Sequence, residues 1–252
     1  MAQNHIDIKE SLHPIDAVMK SIYLDEAKSI GIDIAENGID SLVESELLKN
    51  IPIVKTVYSI TKVSLAIREK YFLKKTLTFI AALNQGNTEI QEMKKRRIAT
   101  ENNEKWLIKE VELLTIHLDR LDELEKAKIT AALYVKYINH EISWDEYRKY
   151  LAVIERVFFQ DFMQLLEIYD AYIQEQKVKE TIEQYGGAMI LKSMSQLNCD
   201  RLLAVGLVQV KRTTTLDASV KNDYILSVLG QKFAEVLKKI RWDKMKKLLI
   251  VF

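Results

Sequence analysis

Apolar residues recur every three or four positions along most of the chain, the spacing of one face of an α-helix. The first such run covers roughly 15–48. Ile15, Val18, Met19 and Ile22 lead into Ala27, Ile30, Ile34, Ile39, Leu42 and Val43, with Gly31 and Gly38 expected to bend or interrupt the helix. A second run opens at Pro52, which suits a first helical turn because its missing N–H is not needed there. Asn84-Gln85-Gly86-Asn87 should stop it.

A third helical region is expected from Thr88 to about residue 140. Within it Leu107, Val111, Leu114, Leu118 and Leu121 follow a 4-3-4-3 spacing. Such a seam, about two heptads long, fits antiparallel packing inside a bundle better than a dimer zipper. Ser143 followed by Glu146 forms a capping box, so a new helix should start at that point. The stretch "AALYVKYINHEISWDEYRKYL" then reads as a helical hairpin. It lacks the alternating Asp/Asn ligands and central Gly of a calcium loop, so no metal is expected there.

The pattern changes at "QYGGA" (184–188), where two adjacent glycines mark the expected domain boundary. Beyond it, "AMILKSMSQL" and "NCDRLLAVG" read as short helices, the second capped by Asn198 and ended by Gly206. "LVQVKRT" and "DYILSV" should pair as strands across a polar loop of about ten residues, followed by a closing amphipathic helix. The expected architecture is mainly α. A helical bundle over 1–183 precedes a small α+β winged-helix-like domain over 188–252.

Composition agrees with long helices. Only 7 Gly and 2 Pro interrupt a chain of 252 residues that is 48% apolar and 29% charged. Cys199 is the single cysteine, which excludes an intrachain disulfide. The N-terminus has no secretory pattern, and the charge-free run "TLTFIAALNQGNT" (76–88) falls short of the roughly 18 residues a spanning helix needs. A cytoplasmic location is the expectation.

Charge is distributed in blocks of alternating sign. Residues 1–47 carry ten acidic and three basic side chains, whereas 48–76 carry one and seven. Residues 77–184 hold twenty acidic against fifteen basic, and 185–252 five against twelve. Opposite blocks attract, so packed segments should neutralise one another, or an acidic N-terminus should mask a basic surface.

Chemistry is sparse. Neither His117 nor His140 has a His, Asp or Glu three or four residues away, and no glycine-rich phosphate loop or nucleophile elbow is present. No catalytic residue, cofactor or metal is therefore expected. "KKRR" (94–97) reads as an exposed helix face beside Glu89, Glu92 and Glu101.

Three contact surfaces remain. Residues 47–83 combine apolar content with Lys55, Lys62, Arg68, Lys74 and Lys75, which suits either a core helix with snorkelling lysines or a helix lying on an anionic membrane. The hairpin carries Lys211, Arg212 and Lys221, and the closing helix Lys238, Lys239, Lys246 and Lys247. Phosphate binding needs such charge, but the would-be recognition helix offers Arg201 as its one basic residue, beside Asp200. Protein contact is favoured over base readout.

"LLKNIPIV" with "IREKYFLKK", and the later "KAKITAALYVKYINHEISWDEY" hairpin, resemble a set of uncharacterised all-helical bacterial proteins, over roughly residues 40–175. The C-terminal portion resembles a winged-helix-type module. These resemblances imply a bacterial accessory or defence-type protein that binds a protein partner without catalysis. The alternatives are a membrane-acting protein held by its acidic N-terminus and a DNA-binding regulator. Oligomeric state is left open.

Overall fold

Ten helices and one two-stranded antiparallel sheet form the described part of the chain. The structure is a computed structural model that describes residues 13–24, 51–61, 66–86, 88–185, 199–214 and 220–239. The chain is mainly helical, with the small sheet toward its C-terminal end, as the apolar spacing predicts. Its described residues fall into two compact units, one up to Arg148 and one from Lys149 onward. The boundary expected at 184–188 lies largely outside the described residues, as do Gly31, Gly38 and the rest of 25–50.

The first unit is assembled around one central helix. Its elements are α1 (Pro14–Ile22), α2 (Pro52–Thr61), α3 (Ile67–Gln85), α4 (Ile90–Glu101), α5 (Lys105–Arg120) and α6 (Leu124–Ile138), with the start of α7 (Trp144–Ile154). Helix α3 packs against α6, α5, α2 and α1. Residues 75–81 of α3 are buried without interruption, around the whole circumference of the helix. A helix in that position has no solvent face, which explains why no clean polar face exists in "LTFIAAL"; the buried Lys75, Thr76 and Thr78 donate to backbone carbonyls. The 107–121 seam is equally complete, since Leu107, Val111, Leu114, Leu118 and Leu121 are all buried. Removing apolar surface from water on this scale contributes about 1.5–3 kcal/mol for each large side chain.

Breaks between helices have local causes. The expected single region from Thr88 onward is three helices; Asn103 breaks it after α4 and His140 ends α6, both with left-handed backbone angles (φ 50° and 57°). Each closes a Schellman motif: Glu104 N–H donates to the Ala99 carbonyl at 2.9 Å, and Glu141 N–H to that of Lys136 at 2.8 Å. Leu121, with extended backbone angles, ends α5. The capping box at the start of α7 is formed as expected. Ser143 N–H donates to Glu146 Oε2 at 3.0 Å, and Glu146 N–H donates back to Ser143 Oγ at 3.2 Å.

The second unit contains the rest of α7, then α8 (Phe159–Tyr185), α9 (Asp200–Ala204), β1 (Val208–Thr214), β2 (Val220–Leu226) and α10 (Val228–Lys239). Tyr150, Phe162 and Phe233 form its aromatic core, with ring centroids 5.0 and 5.7 Å apart. The N-cap of α9 is Cys199, one residue later than the expected Asn198, and its side chain makes no cap bond. Gly206 does end α9: its φ of 76° lets Leu207 N–H reach the Leu202 carbonyl at 2.9 Å.

The strands pair from Val208↔Leu226 to Thr214↔Val220. Only 215–219 lie between them, half the loop length expected, because pairing also takes in Thr214 on the first strand and Val220, Lys221 and Asn222 on the second. At the other end the hairpin is locked to α10. Ser227 N–H donates to the Leu207 carbonyl at 3.0 Å, and Ser227 Oγ accepts from Gly230 N–H at 2.9 Å. Helix α10 comes so close that a Cβ on Gly230 would sit 1.9 Å from the Leu207 oxygen.

Candidate functional site

Two arrangements of side chains stand out, one in each unit. The first is a polar cluster inside unit one. Arg96 of α4 and Glu110 of α5 meet at 2.5 Å, with side chains only 5% and 4% exposed. Tyr134 of α6 donates to Glu110 Oε1, and Tyr137 donates to Oε2 at 2.9 Å. Tyr23, just past α1, shares a hydrogen bond with the Tyr134 hydroxyl at 2.5 Å, and Arg96 Nη1 reaches that same hydroxyl at 3.2 Å. The Arg96 guanidinium lies between the rings of Trp106, Tyr134 and Tyr137 at 5.3–5.6 Å.

This cluster holds its protons tightly. Burial raises the Tyr23 hydroxyl to about 12, with Arg96 opposing and Glu110 adding to the shift. Burial likewise raises Tyr137 to about 12, and Tyr134 and Tyr147 well above the usual phenol range. Tyr147 lies fully buried against Tyr134 and Tyr137, and among the described residues its hydroxyl has no hydrogen-bond partner. Such groups neither give up nor accept protons near neutral pH. The cluster fixes how α1, α4, α5 and α6 meet, a structural task suited to a buried hydrogen-bonded network.

"KKRR" is thus split by the fold. Lys94 and Lys95 are exposed, with Lys95 3.8 Å from Glu92, whereas Arg96 is buried, so the expected exposed face is corrected at that residue. The signal for the cluster was present in α5. Glu110 and His117 fall on the same stripe as Leu107, Leu114 and Leu121, where a polar residue needs a partner. His117 finds its partner in Thr130 Oγ1 at 3.0 Å.

The basic residues expected to touch partners are placed unequally. Lys75 is buried, and its ammonium donates to the Asp119 and Leu121 carbonyls at 2.7 Å each, closing the C-terminal end of α5. Burial lowers its pKa, offset in part by Asp119. Arg68 pairs with Asp119 at 2.5 Å. Lys74 is half-buried and Lys55 exposed. The contact role expected of Lys75 is therefore corrected, because its charge is consumed inside the bundle. Lys62, Lys246 and Lys247 lie outside the described residues.

Arg201 is also engaged. Its Nε and Nη2 donate to the buried Asp161 carboxylate at 2.8 and 2.9 Å, and its guanidinium lies 4.7 Å from the Phe158 ring. Asp161 in turn accepts from Phe158 N–H at 2.8 Å, a bond at the first turn of α8. Lys238 pairs with Asp170 at 2.5 Å, and Lys239 is exposed.

The second arrangement is the hairpin. Its base is buried through Leu207, Val208 and Leu226, but Gln209, Val210, Lys211 and Arg212 are all exposed. In the register Lys211 stands opposite Asp223 and Arg212 opposite Asn222. Lys221 occupies the register position opposite Thr213.

No protein-family model matches the chain, and comparison with curated proteins and with solved structures gives no match either. Among the described residues no group of three or more His, Cys, Asp or Glu could hold a metal ion, and no helix is long and apolar enough to cross a membrane.

Proposed function

We propose that the chain is a non-enzymatic interaction protein that binds a protein partner through the helix–hairpin–helix module of unit two. One observation carries this reading: strand β1 projects four consecutive exposed residues, 209–212, two of them cations, while the buried charges of the protein are spent on its own packing. The order α9, β1, β2, α10 supports a winged-helix-like module with the hairpin as its wing. A bacterial accessory or defence-type setting rests on the sequence resemblance alone.

The two alternatives draw less support. A DNA reader needs side chains free to reach base edges, and Arg201 is committed to Asp161 on a helix of five residues. A membrane-acting role for 47–83 would require α3 to leave the centre of a bundle in which 75–81 are wholly buried.

Site-specific photocrosslinking in cells tests the proposal. A crosslinking amino acid at Lys211 of the full chain should give a discrete protein adduct, while the same group at the exposed Lys109 should not. A strictly monomeric protein with no adduct at position 211 would rule the proposal out.

A further inference from the structure

The outer edge of β1 carries a pattern that specifies what can bind there. Ser227 N–H donates to the Leu207 carbonyl at 3.0 Å, so Leu207 points its backbone oxygen toward β2. Backbone polar groups alternate in direction along a strand, so Gln209 and Lys211 also face β2. Val208, Val210 and Arg212 then direct their N–H and C=O groups outward. Among the described residues β2 is the only strand paired with β1, and these outward groups have no strand partner. The far side of the sheet differs, since β2 packs on α8 and α10, whereas the main helix contact of β1 among the described residues is with the short α9 that leads into it.

A bare strand edge is a template for another strand, and its side chains choose which one. Val210 is 40% exposed. Lys211 and Arg212 are adjacent in sequence and therefore project from opposite faces of the hairpin. Like charges directly opposite one another are destabilising, so a second copy pairing edge to edge in a register centred on Lys211 or Arg212 would set like cations against each other. An acidic strand meets both faces favourably. Nucleic acid is less suited, because residues 208–226 carry three basic side chains and two acidic ones, too little excess charge to hold a phosphate backbone.

We infer that the β1 edge docks an extended acidic peptide segment of a partner protein as a third strand. Two adjacent carboxylates would lie opposite Arg212 and Lys211, and an apolar side chain beside Val210. Added antiparallel, the segment reads acid–acid–apolar from its N-terminal side. This inference rests on the proposed partner-binding role and gives that partner's chemistry.

Fluorescence anisotropy with the full chain tests it, using a nine-residue peptide with a Glu-Glu-Val centre flanked by Thr and Val. Its Lys-Lys-Val counterpart and a single-stranded thymidine oligonucleotide serve as competing probes. The acidic peptide should bind at least about tenfold more tightly than the basic one, as charge complementarity requires. Val210→Pro removes an outward N–H without touching the ladder to β2, so it should lower affinity at least about tenfold while helical circular dichroism stays unchanged. The Lys211→Glu/Arg212→Glu variant should invert the peptide preference, and it decides the matter if Val210→Pro does not fold. Equal binding of both peptides, preferred binding of the oligonucleotide, no binding of the acidic peptide, or a folded Val210→Pro of unchanged affinity would each overturn the inference. Any of these can coincide with a protein adduct at position 211, so the inference can fail while the partner-binding reading survives.

Discussion

Arg96 and Glu110 form an ion pair that solvent hardly reaches, at 2.5 Å between α4 and α5 of the same bundle. Taking both charges out of water is costly, and the pair persists because tyrosine hydroxyls complete it: Tyr134 and Tyr137 donate to the carboxylate, and Tyr134 also accepts from the guanidinium. Removing one partner leaves the other charge buried alone. Arg96→Met is expected to cost about 3–5 kcal/mol. The double variant Arg96→Met/Glu110→Leu should recover a large part of that loss. Urea unfolding followed by near-ultraviolet circular dichroism of the tyrosines measures both, and a double variant worse than the single would contradict this account.

The same cluster predicts a steep loss of stability in alkali. Burial raises the Tyr23 hydroxyl from 10.0 to about 12, so the folded protein keeps a proton that the unfolded chain releases. Its contribution is complete below pH 10 and disappears as pH rises toward 12. For Tyr23 this amounts to roughly 2–3 kcal/mol. Phenolate absorbance should therefore rise cooperatively with unfolding rather than before it. Tyr23→Phe should flatten the alkaline limb of the stability curve.

Lys75 and Lys55 separate a structural lysine from a surface one. Lys75→Met would strip two carbonyls at the end of α5 of their donor, and is expected to cost about 1–3 kcal/mol. Lys55, exposed on α2, should tolerate the same change within about 0.5 kcal/mol. Thermal denaturation of the two variants distinguishes them, and equal effects would contradict the central position of α3.

Gly230 should be nearly irreplaceable. A methyl group there would overlap the Leu207 oxygen, so Gly230→Ala must push α10 off the base of the hairpin, at a cost of about 1–3 kcal/mol or more. Ser227→Ala removes the hydroxyl that accepts from Gly230 N–H and donates to the Gly206 carbonyl, and should cost about 1 kcal/mol. Amide hydrogen exchange in 207–230 reports both losses. A Gly230→Ala protein with unchanged protection would refute the close approach.

The sequence alone determined the helical class, the 107–121 seam, the capping box at Ser143 and the existence of a C-terminal hairpin, though not its bounds or register. These features depend on neighbours a few residues apart, whose spacing is visible along the chain. Cations that look alike in sequence were separated only by tertiary structure. Lys75 went to the end of α5, Arg96 to Glu110 and Arg201 to Asp161, while Lys211 and Arg212 stayed exposed. The physical reason is that a long basic side chain is soluble at a surface and also tolerable in a core that supplies oxygen acceptors. Where those acceptors lie depends on elements brought together across 14 to 46 residues of chain.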